Sequence, residues 1–246
     1  MGYFTCLVGI RYIILRYGKN LNIPKILEVP TSNLFPSYIE SLSGVNATPP
    51  WSIESNYQLS LRKLSAWASH LPESLHLSRQ NIFSRHNTPH LGPMVMLHLW
   101  NDMLHCELYR LALQTHSDPN VQAMFDTAPA GWISETQDLC LYHAVNIAKT
   151  LQMVEDDLSG EKFTIIDPSL AMLCYASMKM QLLYSSMREA LGLDSGISDE
   201  VIEGFQVLLL FVERLSKYFK PTAVLVSIYA TAFSTTWLNL KCSLGK

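Results

Sequence analysis

Residues 91–113 read LGPMVMLHLWNDMLHCELYRLAL, and their periodicity decides the fold class. Advancing about 100° per residue from Leu97, Trp100, Leu104, Leu108 and Leu111 gather on one side, and Leu99, Met103 and Cys106 widen that side past half the circumference. His98, Asn101, Asp102, His105 and Tyr109 share the remaining narrow arc, which reads as a solvated polar stripe. Glu107 and Arg110 fall inside the apolar arc at i,i+3 spacing, where they can pair. A helix this apolar, over roughly residues 93–115, belongs at the centre of a packed all-α domain.

The remaining chain gives the same reading on both sides of that helix. Tyr57, Leu61, Leu64, Ala68 and Leu71 recur at helical spacing until Pro72 stops them. Residues 78–93, with His86, Pro89 and His90, read as a loop. Turns at Ser117-Asp118-Pro119-Asn120 and Ala128-Pro129-Ala130-Gly131 follow the central helix. Ser134 with Gln137 forms a capping-box pattern, which starts the next helix at Ser134; Leu141, Val145, Ala148 and Leu151 carry it to Ser159-Gly160. Asp167-Pro168 caps a helix through Leu173, Ala176, Met180, Leu183 and Met187, and 192–196 breaks it. Ser198-Asp199-Glu200 opens another, with acids favourable at its N-terminus. Lys220-Pro221 divides it from a last apolar segment, 222–240. No strand pattern and no internal repeat competes. The expected architecture is a multi-helical bundle or array in three parts: an N-terminal helix over 1–21, a Pro- and Ser-rich linker over 22–50, and a helical domain over 51–246.

Composition narrows the function classes. The chain has 246 residues, 48% of them hydrophobic and only 16% charged, so a sizeable core is expected. The formal net charge is −3 and no run of five Lys or Arg occurs, which argues against direct nucleic-acid binding. The five cysteines, Cys6, Cys106, Cys140, Cys174 and Cys242, form no C-x-x-C pair and read as reduced thiols packed in helices. Arg11 and Arg16 interrupt the apolar N-terminus, making it a poor secretory signal. It reads instead as an amphipathic helix docking through Phe4, Leu7, Val8, Ile14 and Leu15. Segment 222–240 is long enough to span a bilayer, but Thr222, Ser227, Thr231, Ser234, Thr235, Thr236 and Asn239 favour a buried core helix, and no membrane association is expected.

No catalytic constellation emerges. His98, Asp102 and His105, at i, i+4 and i+7, are ligand types that can in principle meet one metal, yet the polar-stripe reading suffices for them. Glu107 and Arg110 read as a buried pair in which guanidinium and carboxylate offset each other's desolvation. Glu155, Asp156, Asp157 and Glu161 form an acidic cluster at a helix C-terminus, where acids oppose the helix dipole. Met94, Met96, Trp100 and Met103, with Met172, Tyr175, Met178, Met180, Tyr184 and Met187, read as core, with an adaptable apolar cavity for a small effector as the sharper alternative. His86, His90, His116 and His143 have no assigned role. Phosphate-binding glycine loops and the G-x-S-x-G elbow are absent. No catalytic, cofactor-binding or metal-binding residue is assigned.

Upstream of the central helix, Trp67, Leu71, Pro72 and Leu75 have the form W-x-x-x-L-P-x-x-L, and the central helix carries LHL followed by Cys106-x-Leu108-Tyr109-Arg110. With Pro49-Pro50-Trp51 ahead and Cys140, Ala144 and Ile147 behind, this pattern resembles the second half of the fungal-specific transcription factor domain, the middle homology region of zinc-binuclear-cluster regulators. The resemblance covers roughly residues 50–149. It implies an all-α single domain like the C-terminal part of that regulatory domain, and a nuclear, non-catalytic role modulating transcription. Transcription machinery or a partner transcription factor would be its partners, and sensing of a small effector and a homodimer are compatible with it. Trp67, Leu71, Pro72, Leu108, Tyr109 and Arg110 match the pattern as scaffold positions only. The family's six-cysteine DNA-reading cluster has no counterpart here and the first part of the middle region is short or absent, as in a truncated gene model, a fragment or a cluster-less relative. Two other readings stand beside this one: a helical enzyme with an apolar pocket, of the terpenoid-processing type, and a membrane-associated helical protein.

Overall fold

The central helix, α4 (Leu91–Tyr109), starts slightly ahead of its proline: Pro93 sits in the first turn, where a missing N–H has no intrahelical acceptor to lose. The computed structural model describes residues 2–21, 48–113, 118–158, 165, 167–193 and 199–219. All regular structure among them is helical: α1 (Gly2–Asn20), α2 (Asn56–Ser69), α3 (Arg79–Arg85), α4, α5 (Pro119–Phe125), α6 (Trp132–Asp157), α7 (Pro168–Ala190) and α8 (Asp199–Ser216). The all-α array read from periodicity is therefore present. Segments 22–47 and 220–246 lie outside the described residues, and with them most of the linker, the apolar segment 222–240 and Cys242. Ser159-Gly160, Glu161 and His116 also lie outside them.

Two helices organise the array. α4 contacts α1, α2, α6 and α7, and α6 contacts α3, α4, α7 and α8. Leu99, Met103, Leu104 and Leu108 of α4 meet Cys140, Ala144, Ile147 and Leu151 of α6 in one continuous core, all essentially fully buried. Small residues on α6 let its neighbours approach closely. A Cβ added at Gly204 of α8 would lie 3.2 Å from Ala148 Cβ, so the α6–α8 crossing depends on the hydrogen at that position. Ser177 of α7 donates from Oγ to the Ala144 carbonyl at 2.6 Å. On the other side, α1 buries Leu7, Ile10, Ile14 and Tyr17 at helical spacing. Trp67 Nε1 of α2 donates to the Tyr3 carbonyl at 3.0 Å and fixes the two helices together.

Several boundaries differ from the sequence reading, each for a local reason. The loop read over 78–93 contains α3, whose Ser78 cap accepts from the Asn81 N–H and whose inward residue is Ile82. Only one side chain of this helix is fully buried, so no periodicity announces it. Between the two predicted turns lies α5, capped by Asp118 accepting from the Asn120 N–H, with Pro119 in its first turn. The helix expected from the Ser134 capping box begins earlier, at Trp132. Gly131 takes the cap position at φ +82°, a left-handed conformation suited to glycine, and the Ser134 hydroxyl donates to the Gly131 carbonyl. α4 tightens after Tyr109 into a 3-10 turn, Arg110–Leu113, where the sequence reading has α-helix; residues 114 and 115 of that reading lie outside the described residues. In α1, Leu7 and Ile14 dock as expected, Leu15 is half-buried and Phe4, although partly exposed, meets the Trp100 ring edge-on with centroids 6.5 Å apart, whereas Val8 points outward. The face is set by Leu7, Ile10, Ile14 and Tyr17, with Phe4 at its edge and Val8 on its far side.

Candidate functional site

Two groups of polar side chains flank α4, roughly half a turn apart on its circumference. On the α1 side, Arg110 Nε donates to Glu107 Oε2 at 2.9 Å, and both residues are only 3% exposed. The pair expected in the apolar arc is thus formed and buried. A third charge joins it from α1. The Arg11 guanidinium lies 5.0 Å from the Trp100 ring centroid, a cation–π arrangement. Burial lowers the Arg11 pKa from its ordinary value, while the Glu107 carboxylate opposes that shift. Arg11 Nε is buried without a hydrogen-bond partner. The carboxylate therefore faces two guanidiniums, one local and one from a helix far away in sequence.

On the α6 side, the narrow polar arc is covered instead of solvated. His98, Asn101, Asp102 and His105 are half-buried and Tyr109 is buried. The reason is a complementary residue on α6. His143 Nδ1 pairs with Asp102 Oδ1 at 2.7 Å, with the two side chains 14% and 13% exposed. The His143 ring stacks on His105, with centroids 4.2 Å apart and planes within 7°. Tyr109 adds its ring 5.7 Å from His143. His105 Nδ1 lies 2.9 Å from the Asn101 carbonyl. A carbonyl only accepts, so that nitrogen carries the proton. Burial, and after it the neighbouring His143, pulls the His105 pKa down to about 4. His98 is also lowered, by burial first, and its Nε2 meets the Leu75 carbonyl at 2.8 Å.

The structure thus separates the three residues considered as metal ligands. His98 is bound to the 3-10 segment Glu73–Leu75, His105 to its own helix, and Asp102 to His143. Among the described residues, no three His, Cys, Asp or Glu side chains gather in a metal-binding group. The seam has one chemical capacity. A carboxylate on Nδ1 orients the His143 ring and leaves Nε2 as the basic nitrogen, the arrangement used for proton transfer.

Beside the seam, Cys106 and Cys140 face each other. Each Sγ donates to the other's carbonyl at 3.7 Å, and both residues are fully buried. Burial, with Cys140 alongside, pushes the Cys106 thiol well above its ordinary range, which suppresses the reactive thiolate. Cys106, Cys140 and Cys174 are free, buried thiols, as the sequence suggests, while Cys6 is exposed.

The acidic cluster finds its explanation in partners. Glu155 pairs with Arg214 of α8, and Asp157 Oδ1 with Arg79 Nε of α3 at 3.2 Å. Acids at the α6 C-terminus oppose the helix dipole, yet here they tie two neighbouring helices to it. Asp156 between them is exposed. The methionine and aromatic set lies in or against the continuous core. His86 Nδ1 sits on the Phe83 carbonyl at 2.6 Å and His90 is exposed. Sequence reasoning missed Arg11 and His143. It also missed Tyr184, whose hydroxyl donates to Asp138 Oδ1 at 2.7 Å. Each pairs with a residue distant in sequence, so no local signal announces it.

No protein-family model, no curated protein and no solved structure matches this chain.

Proposed function

We propose that this chain is a non-catalytic regulatory domain of a fungal transcription factor, acting in the nucleus on the transcription machinery or a partner factor. The observation that carries the reading is the placement of the residues shared with the family pattern. Trp67, Leu71, Leu108, Tyr109 and Arg110 are all buried, and Pro72 turns the chain out of α2. These are the positions of a scaffold: the pattern is spent on joining α2, α4 and α6, which supports a role in binding and transmission over one in chemistry. The half-buried His105–His143 seam is where a small effector or a partner would be felt, because it lies between the two organising helices.

The test is to fuse the chain to a heterologous DNA-binding module recruited to a reporter gene in yeast. Reporter output should change relative to the module alone at equal protein level. Output identical to the module alone overturns the reading. The Asp102–His143 dyad favours a second reading, a helical enzyme in which His143 Nε2 accepts a proton from a substrate. A turnover activity lost in His143→Ala, with the fold intact by circular dichroism, would establish that reading in place of the first.

A further inference from the structure

Helices α1 and α2 carry one sign of charge only, with Glu54 the acid just ahead of α2. The two helices contain Arg11, Arg16, Lys19, Arg62 and Lys63 and no Asp or Glu, in a chain whose net charge is −3. Arg11 is turned inward over Trp100, while Arg16, Arg62 and Lys63 are exposed. The Tyr3 hydroxyl donates to the His70 carbonyl and Trp67 Nε1 to the Tyr3 carbonyl, so the end of α2 lies at the start of α1 and the helices run antiparallel. The outward face of α1 also displays three large side chains. Phe4, Val8 and Tyr12 are 45%, 52% and 56% exposed, with one edge of the Phe4 ring resting on Trp100. At i, i+4 and i+8 they form one stripe, and Arg16 continues it.

We propose that this helix pair docks an acidic amphipathic helix from a partner protein. The partner's apolar residues, recurring every three or four positions, would lie along Phe4, Val8 and Tyr12. Its flanking Glu and Asp would meet Arg16, Arg62 and Lys63. An apolar stripe ending in Arg16, on a helix pair whose charged side chains are all cationic, suits helix-on-helix recognition of an acidic segment, and the one-signed field steers the encounter. The same field opposes a second copy presenting this face, since like charges would be brought together. A nucleic-acid backbone would match the cations but leave Phe4 and Val8 without a counterpart. The surface follows from its own chemistry and does not depend on the transcriptional role.

The experiment is fluorescence anisotropy on the full chain. One labelled synthetic peptide has Leu and Phe at helical spacing and Glu elsewhere; a second has the same composition scrambled. Vesicles of phosphatidylserine and phosphatidylcholine and a labelled DNA duplex complete the set. The amphipathic peptide is expected to bind at least about tenfold more tightly than the scramble, and binding should weaken as salt rises. Val8→Asp should reduce affinity about tenfold, a loss of the apolar anchor. Arg16→Glu and Lys63→Glu should each weaken it and lower the salt dependence, with melting temperature unchanged because both sites are exposed. If Val8→Asp unfolds the chain, the two charge reversals decide. Equal affinity for the scramble, affinity unmoved by charge reversal, or tighter binding to vesicles or duplex than to the peptide each overturns the proposal.

Discussion

The two flanks of α4 hold the same helix by opposite means. Toward α1, Glu107, Arg110 and Arg11 are permanent charges removed from water and set against each other. Toward α6, Asp102, His143 and His105 form a half-buried seam held by one hydrogen-bonded pair and one ring stack. The first arrangement is rigid because removing Glu107 or Arg110 leaves its buried partner's charge unbalanced. The second is conditional, because it depends on His105 staying neutral. A helix at the centre of an array is thus clamped on one side and responsive on the other.

The largest effect should come from between the flanks. Leu104 is 1% exposed, and Leu104→Asp would bury a charge with no partner, costing more than about 5 kcal/mol. Loss of the cooperative thermal transition is the expected observation; an unchanged melting midpoint would show that this face is not core. Next comes the charged flank. Arg110→Ala should cost on the order of 3–5 kcal/mol in urea unfolding, and Arg110→Lys should also be damaging because an ammonium lacks the planar fork. Replacing Glu107 and Arg110 together with Leu and Met should recover most of that loss only when Arg11 is also changed to Met. Full recovery without the Arg11 change would show that the third charge contributes nothing.

The histidine flank should respond to acid. His105 has a pKa of about 4 in the folded chain, below the ordinary histidine value of about 6.5. Between those values the unfolded chain binds more protons. Stability is therefore complete above about pH 6.5, falls as pH drops through this window and levels off below about pH 4. The loss should reach about 3 kcal/mol, and His98, lowered in the same direction, adds to it. His105→Phe keeps a ring against His143 and should flatten this part of the profile in urea titrations at graded pH. An equally steep profile in that variant would place the titration elsewhere. The smallest effect belongs to a pair with only one member in solvent: Arg79 is 86% exposed against 12% for Asp157, and Arg79→Ala should cost below about 1 kcal/mol. A cost near that of Arg110→Ala would erase the distinction between clamped and solvated charge.

Much of this fold was legible because helical periodicity reports which side chains share a face. α2, α4, α6 and α7 follow from their apolar spacing, Asp167-Pro168 marks the start of α7 as read, and α8 follows from the acids that open it. The buried Glu107–Arg110 pair was legible too, since its angular position inside an apolar arc leaves water no access. A helical wheel gives directions, however, and not neighbours. The arc from His98 to Tyr109 looked solvated because nothing local announces His143, whose pairing with Asp102 spans 41 residues. Arg11 was hidden the same way: an arginine interrupting an apolar run reads as a solvated charge until the opposing carboxylate is known. α3 and α5, each one or two turns long, lack the length over which periodicity becomes a signal.

The docking of α1 also sets an order of events during synthesis. Its apolar face, Leu7, Ile10, Ile14 and Tyr17, is made first, yet the residues that cover it come later. Trp67, which grips the Tyr3 carbonyl, lies 64 residues downstream, and Glu107 is further still. The Tyr17 hydroxyl finds the Thr48 carbonyl after 31 residues, but at about 5–20 residues per second α1 waits roughly 3–13 seconds for Trp67. Throughout that interval a helix with apolar residues on both its inner and outer faces stands uncovered on the nascent chain. α1 is therefore secured only after α2 and α4 have been made, so a pause in translation between them lengthens the time its apolar face stays open.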